Sequence, residues 1–177
     1  MKISEDLKEW IKDIGLALLV SFLILQVVQP TIVREHSMEN TLHEDDYIFV
    51  NKLAYKTGEP QYGDIIVFRS GLKTVDGKEK QLVKRIIALP GDTIAIHDGA
   101  VVLNGSEIAE NYTKDGYTAT EMDEVTVPEG CLFVMGDNRQ NSADSRSSAV
   151  GMVSVDTVVG KVGFRLFPLS DIGSVYK

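Results

Sequence analysis

Leu82-Val-Lys-Arg-Ile-Ile-Ala-Leu-Pro-Gly-Asp-Thr-Ile-Ala-Ile96 decides the fold class. Its first apolar run, Leu82 to Leu89, is stopped by Pro90-Gly-Asp92, and Thr93-Ile-Ala-Ile96 begins a second at once. Short runs bounded by turn residues read as strands. The pattern repeats outward. Downstream, Val101-Val-Leu103 follows the turn His97-Asp-Gly-Ala100, a hairpin signal. Glu124-Val-Thr-Val127 and Cys131-Leu-Phe-Val-Met135 flank Pro128-Glu-Gly130 and predict another hairpin, and Val153 to Phe167 holds one or two further strands. Upstream lie Ile65-Ile-Val-Phe68, opened by Tyr62-Gly-Asp64, and Tyr47-Ile-Phe-Val50. Strands at this spacing predict a mainly β domain, an antiparallel sheet or partial barrel. The polar stretch Gly105 to Asp123 reads as a surface excursion between strands.

The N-terminal part is different. Ile14 to Val33 carries no charge, and only Ser21, Gln26 and Gln29 interrupt its apolar heart. A transmembrane helix needs about 20 mostly apolar residues. Pro30 restricts the residue before it, so the helix is expected to end near Gln29. A cleaved leader would show a small-x-small site just behind the run. Gln29-Pro-Thr-Ile-Val-Arg-Glu-His36 has none, so the run reads as an uncleaved anchor. The expected organisation is a tail at 1–13, an anchor at 14–33 and a domain at 34–177. Lys2, Lys8 and Lys12 precede the anchor and Arg34 follows it, which weakly favours a cytoplasmic N-terminus and an extracytoplasmic domain.

Composition narrows the chemistry. The chain has 177 residues, 44% hydrophobic and 25% charged, with a net charge of −8. Such a charge disfavours nucleic acid, whose phosphates need clustered Lys and Arg. One cysteine, Cys131, allows no disulfide within the chain, and its apolar setting reads as a buried strand. His36, His43 and His97 have no metal-ligand spacing, so no metal site and no cofactor is expected.

Three segments carry polar residues that strands and turns do not explain. Glu35-His-Ser-Met-Glu-Asn-Thr-Leu42 follows the anchor, and Ser37 there is either a turn residue or a nucleophile placed at a membrane surface. Lys84 sits in an apolar strand beside Arg85. Neighbours in a strand point to opposite faces, so either one of the two cations faces the buried side or both are solvated on an edge strand. A buried lysine loses its proton more easily and becomes a competent base. Gly136-Asp-Asn-Arg-Gln-Asn-Ser-Ala-Asp-Ser-Arg146 follows an apolar strand, and its Asp137, Arg139, Asp144 and Arg146 can form fork-type ion pairs that brace the loop.

These segments, in this order behind an anchor, resemble the bacterial type I signal peptidases of the Gram-positive, single-anchor kind. Ser37-Met-Glu-Asn-Thr-Leu42 is similar to the family's Ser-Met-x-Pro-Thr-Leu, and Gly63-Asp-Ile-Ile-Val-Phe68, Lys84 to Asp92 and Gly136 to Arg146 also match. The resemblance implies a serine endopeptidase that cuts preprotein signal peptides after a small-x-small motif at the lipid bilayer. It implies Ser37 as nucleophile and Lys84 as neutral general base. Ser142 would orient the lysine amine, and Asp137, Asp144 and Arg146 would brace the loop. The Ser37 backbone N–H would stabilise the oxyanion. Val33, Met38, Leu42, Leu82 and Val83 would line shallow pockets for small residues before the cut.

Two positions depart from the family pattern. Asn40 stands where proline is usual, which removes a stiff turn residue. Glu35 stands where serine or glycine is usual, and a carboxylate cannot donate to an oxyanion, so it is expected to point away. Rival readings are a self-cleaving Ser–Lys repressor, against which the anchor argues, and an inactive membrane-tethered β module that binds extended peptides by strand addition.

Overall fold

The computed structural model describes residues 5–176. Helix α1, Glu5–Val27, opens the chain. Its Leu7–Val27 stretch is long and apolar enough to cross a membrane, and none of it packs inside the protein. Trp10, Phe22 and Leu23 point outward from it. Beyond Asp13 the helix carries no charge on any face, which fits an apolar solvent such as a bilayer.

The helix ends earlier than the sequence suggests. Val28–Ile32 is not helical but forms strand β1, so the expected anchor of 14–33 overruns into the sheet. Val28, Thr31 and Ile32 are β-branched and favour a pleated chain. Pro30, which has no N–H to give a ladder, sits opposite Phe49 on what is the outermost strand of the sheet. Lys52 closes the helix end: its N–H donates to Val27 O at 2.8 Å and its ammonium to Leu25 O at 2.9 Å. A cation there complements the negative end of the helix dipole. Of the charges that set the expected orientation, Lys2 lies outside the described residues.

The remaining elements are β2 (Tyr47–Asn51), α2 (Ala54–Thr57), β3 (Ile65–Lys73), β4 (Glu79–Ala88), β5 (Thr93–His97), β6 (Ala100–Leu103), β7 (Ser106–Glu107), β8 (Met122–Thr126), β9 (Cys131–Met135), β10 (Val153–Ser154), β11 (Val158–Phe167) and β12 (Gly173–Ser174). With β1, the strands form two antiparallel sheets. The larger runs β1-β2-β11-β3-β4-β9-β10, with β12 also on β11, and the smaller runs β7-β6-β5-β8. Pro128-Glu-Gly130 therefore makes no hairpin. β8 pairs with β5, β9 with β4 and β10, so this turn carries the chain from one sheet to the other.

The centre of the large sheet is covered on both faces. Ile65 and Val67 of β3 pack with Val33, Met38, Leu42 and Val50, whereas Ile66 and Phe68 pack with Leu82, Ile86 and Val134. That is why β3 and β9 read as continuous apolar runs rather than as alternation. It also answers the question raised by Lys84 and Arg85. β4 is a central strand between β3 and β9, and both cations are buried rather than one.

Candidate active site

Ser37 lies in a 3-10 turn, His36–Met38, between β1 and β2. The turn is held by its own backbone, with Glu39 N–H donating to His36 O and Leu42 N–H to Met38 O. Met38 and Leu42 anchor it by entering the core beside Val33. Ser37 is 7% exposed. Lys84 reaches it from the middle of β4, 47 residues away in sequence, and Lys84 Nζ donates to Ser37 Oγ at 2.7 Å and to Val83 O at 2.9 Å.

Burial makes the ammonium costly and pulls the Lys84 pKa from 10.5 down to about 8. The Asp144 and Glu35 carboxylates oppose that shift, Lys80 adds to it, and Asp137 opposes it weakly. An amine with such a pKa is substantially neutral in mildly alkaline solution and can accept the proton of the hydroxyl it touches.

The loop after β9 fits against both residues. Gly136 packs against the turn so closely that a β-carbon there would lie 2.4 Å from Ser37 O and 2.3 Å from Ser142 Oγ. Asn138 fastens the loop to the turn, its backbone N–H donating to Ser37 O at 3.0 Å and its side-chain amide to His36 O at 3.0 Å. Asp144 accepts from Gly136 N–H at 3.0 Å and from both Nε and Nη2 of Arg146 at 2.8 Å. Burial pushes the Asp144 carboxyl up, but Arg146 and the neighbouring donors outweigh it and hold the group below the usual carboxylate range.

The expected bracing among the four loop charges holds for one pair only. Asp144 takes Arg146, but Asp137 takes Arg85 of β4, at 2.9 Å from Nε and 2.7 Å from Nη2. Arg139 turns to Glu110 and Thr118, in the stretch expected to be a surface excursion. That stretch is instead partly buried, with Thr113 and Thr118 inside and the Tyr112 ring 4.0 Å from the Arg85 guanidinium carbon. Thr41 joins the same cluster by donating to Asp137 and accepting from Arg85.

Ser142 is near the lysine's surroundings but not bonded to it. Its Oγ is buried without a hydrogen bond of good geometry among the described residues. It is close enough to Asp144 to help hold that carboxylate ionised. The second partner of the Lys84 amine is thus the Val83 carbonyl and not the Ser142 hydroxyl.

A groove of about 370 Å³ opens beside Ser37. Val33, Met38, Leu82 and Val83 line it, together with Val67. Leu42 does not; it is wholly buried beneath, in the core that supports the turn. Glu35 lies on the rim and pairs with Lys80. The residues that sequence reasoning missed are Arg85 as the partner of Asp137, Asn138 as the link to the turn, and Glu110 as the partner of Arg139. For the first, the sequence signals a partner but not which one: a carboxylate after an apolar strand is rarely buried unpaired.

Known proteins resemble this chain over most of its length. The family described as "Signal peptidase, peptidase S26" matches residues 7–167. A protein named signal peptidase I from Bacillus licheniformis is 37% identical, over 94% of this chain and 92% of its own length. One named signal peptidase IB from Staphylococcus aureus is 31% identical, over 94% of this chain and 93% of its own. A solved structure of a signal peptidase I from Enterococcus faecalis is 33% identical, with a TM-score of 0.49, over 58% of this chain and 96% of that one.

Proposed function

This chain belongs to the signal peptidase family, peptidase S26, with the function of a signal peptidase I and the activity of a serine endopeptidase, and from that premise we propose how its residues perform the cleavage. Ser37 is the nucleophile and Lys84 its general base. The observation that carries this reading is the buried hydrogen bond of 2.7 Å between Lys84 Nζ and Ser37 Oγ. With the amine neutral, its lone pair takes the hydroxyl proton as Oγ attacks the scissile carbonyl. The protonated amine then gives that proton to the departing amino group, and the peptide C–N bond breaks. An ester on Ser37 remains. Water, deprotonated by the same amine, hydrolyses it and releases the carboxylate end of the signal peptide. The Ser37 N–H stabilises the oxyanion that forms at each attack.

Asp137, Asp144 and Arg146 keep the loop in place, and Ser142 packs beside them. The apolar lining at Val33, Met38, Leu82 and Val83 admits small side chains and excludes bulky ones by contact, which yields a small-x-small preference. The substrate is a preprotein whose signal peptide also emerges from a bilayer. The domain from β1 onward works at the outer surface of the cell membrane, with the apolar part of α1 as a single span and the start of α1 on the cytoplasmic side. Lys8 and Lys12, ahead of the uncharged run that begins at Ile14, are consistent with that orientation.

The test is purified protein incubated with a preprotein, beside its Ser37→Ala variant. The parent should release the mature protein with a new N-terminus after a small residue. Removing the nucleophile of a dyad should lower kcat by several orders of magnitude. Comparable cleavage by the variant would remove Ser37 from the mechanism.

A further inference from the structure

The groove has two walls. One is the segment around Thr31 to Met38, which carries Ser37, and the other is the start of β4, Glu79 to Val83. In the sheet they belong to distant strands, since β2, β11 and β3 stand between β1 and β4. The hydrogen bond between Ser37 and Lys84 ties them deep in the site. An ion pair between Glu35 and Lys80 ties them a second time, two residues before Ser37 on one wall and four before Lys84 on the other. Both partners line the groove, and their side chains are 41% and 36% exposed, so this tie lies at the mouth. The backbone under Lys80 is fixed, because Ser70 Oγ donates to its carbonyl at 2.7 Å.

We propose that the Glu35–Lys80 pair is an ionic latch across the mouth of the substrate groove, opened by each preprotein segment that reaches Ser37. This rests on the reading of Ser37 as the nucleophile beside that groove. A chain entering between the walls must separate the two charges. The pair therefore favours the unoccupied groove. An exposed pair is weak and screened by salt, so its removal should strengthen binding two- to fivefold at low ionic strength. Such a latch selects against weakly held segments while a well-fitted signal peptide still displaces it.

The test uses the full-length chain in detergent micelles and a fluorescent peptide spanning a signal-peptide cleavage site. Binding is measured by anisotropy in the Ser37→Ala background, and cleavage by the parent. Glu35→Gln and Lys80→Gln should each tighten binding two- to fivefold. Salt should bring the unlatched and latched forms to the same Kd. Reversing the pair with Glu35→Lys and Lys80→Glu together should restore the weaker, salt-sensitive binding. If the reversed pair binds like the neutral variants, or if the two single variants shift Kd in opposite directions, the charges meet the substrate separately and no latch exists. Ser37-dependent cleavage with a flat charge series would overturn the latch alone. No cleavage and no binding in any form would overturn the latch together with the function it rests on.

Discussion

Gly136 and Ser37 stand backbone to backbone: a β-carbon on Gly136 would come within 2.4 Å of the Ser37 carbonyl oxygen, closer than nonbonded atoms approach. The glycine is there for space. The loop must lie this close for Asn138 to hold the turn from behind. Gly136→Ala should therefore push the loop off the turn. Overpacking of this kind costs about 1–3 kcal/mol, and a displacement near 1 Å in a catalytic group costs about 10²-fold in rate. Thermal unfolding and kcat on the same sample check this, and a variant with parental kcat would refute the contact's importance.

The pH dependence follows from Lys84. Burial lowers its pKa to about 8, so the neutral amine accumulates as pH rises through that value. kcat/KM should rise with pH and level off above about 8. Lys84→Arg should be inactive at every pH, because a guanidinium keeps its proton. An active arginine variant would show that position 84 serves only as a charge.

The charges around Lys84 should move that midpoint in predictable directions. Asp144, Glu35 and Asp137 raise the Lys84 pKa, and Lys80 lowers it. Glu35→Gln removes a raising charge and should shift the rise of kcat/KM to lower pH; Lys80→Gln should shift it to higher pH. Midpoints that move together would contradict this electrostatic layout.

Stability carries the same signature. The folded-state pKa of Lys84 is lowered, so the cost of its buried charge is complete below about pH 8 and disappears as pH approaches the ordinary value of 10.5. At about 1.4 kcal/mol per pKa unit, the shift corresponds to a cost on the order of 3 kcal/mol. The unfolding free energy of the parent relative to Lys84→Met should rise by about that amount across this window. Denaturant titrations at both ends measure it, and a constant difference would place the amine in a more polar setting than its burial implies.

Much of the architecture was legible because strand, turn and apolar helix each leave a local periodic mark. What was not legible depends on partners distant in sequence. Asp137 and Arg85 are 52 residues apart, and nothing local distinguishes Arg85 from Arg139 as the partner. Gly105 to Asp123 is polar, but its Thr118 and Glu110 are polar because they satisfy the buried Arg139. Pro128-Glu-Gly130 reverses the chain as a hairpin turn would, and only the pairing of β8 and β9 with different strands shows that it joins two sheets. The proximity of Ser37 and Lys84 was legible mostly through resemblance, since a serine in a turn and a lysine in a strand have commoner explanations when read singly.

The placement of β1 makes a prediction about where the chain can be cut. α1 ends at Val27 and makes few contacts beyond β1, whereas Val28–Ile32 pairs residue for residue with β2 from Val28 opposite Asn51 to Ile32 opposite Tyr47. β1 also leads directly to Val33, which packs beside Met38 beneath the Ser37 turn. A chain beginning at Val28 should be recovered without detergent and should cleave a soluble peptide, having lost only the helix. A chain beginning at Arg34 would lack β1 and Val33, leave β2 as an exposed edge and loosen the core under Ser37. Deleting one buried aliphatic side chain alone costs about 1–4 kcal/mol, so this shorter chain should unfold at lower denaturant and lose activity. The comparison separates the helix as a tether from the strand as part of the catalytic domain. Equal stability and activity in the two chains would show that the domain begins after β1.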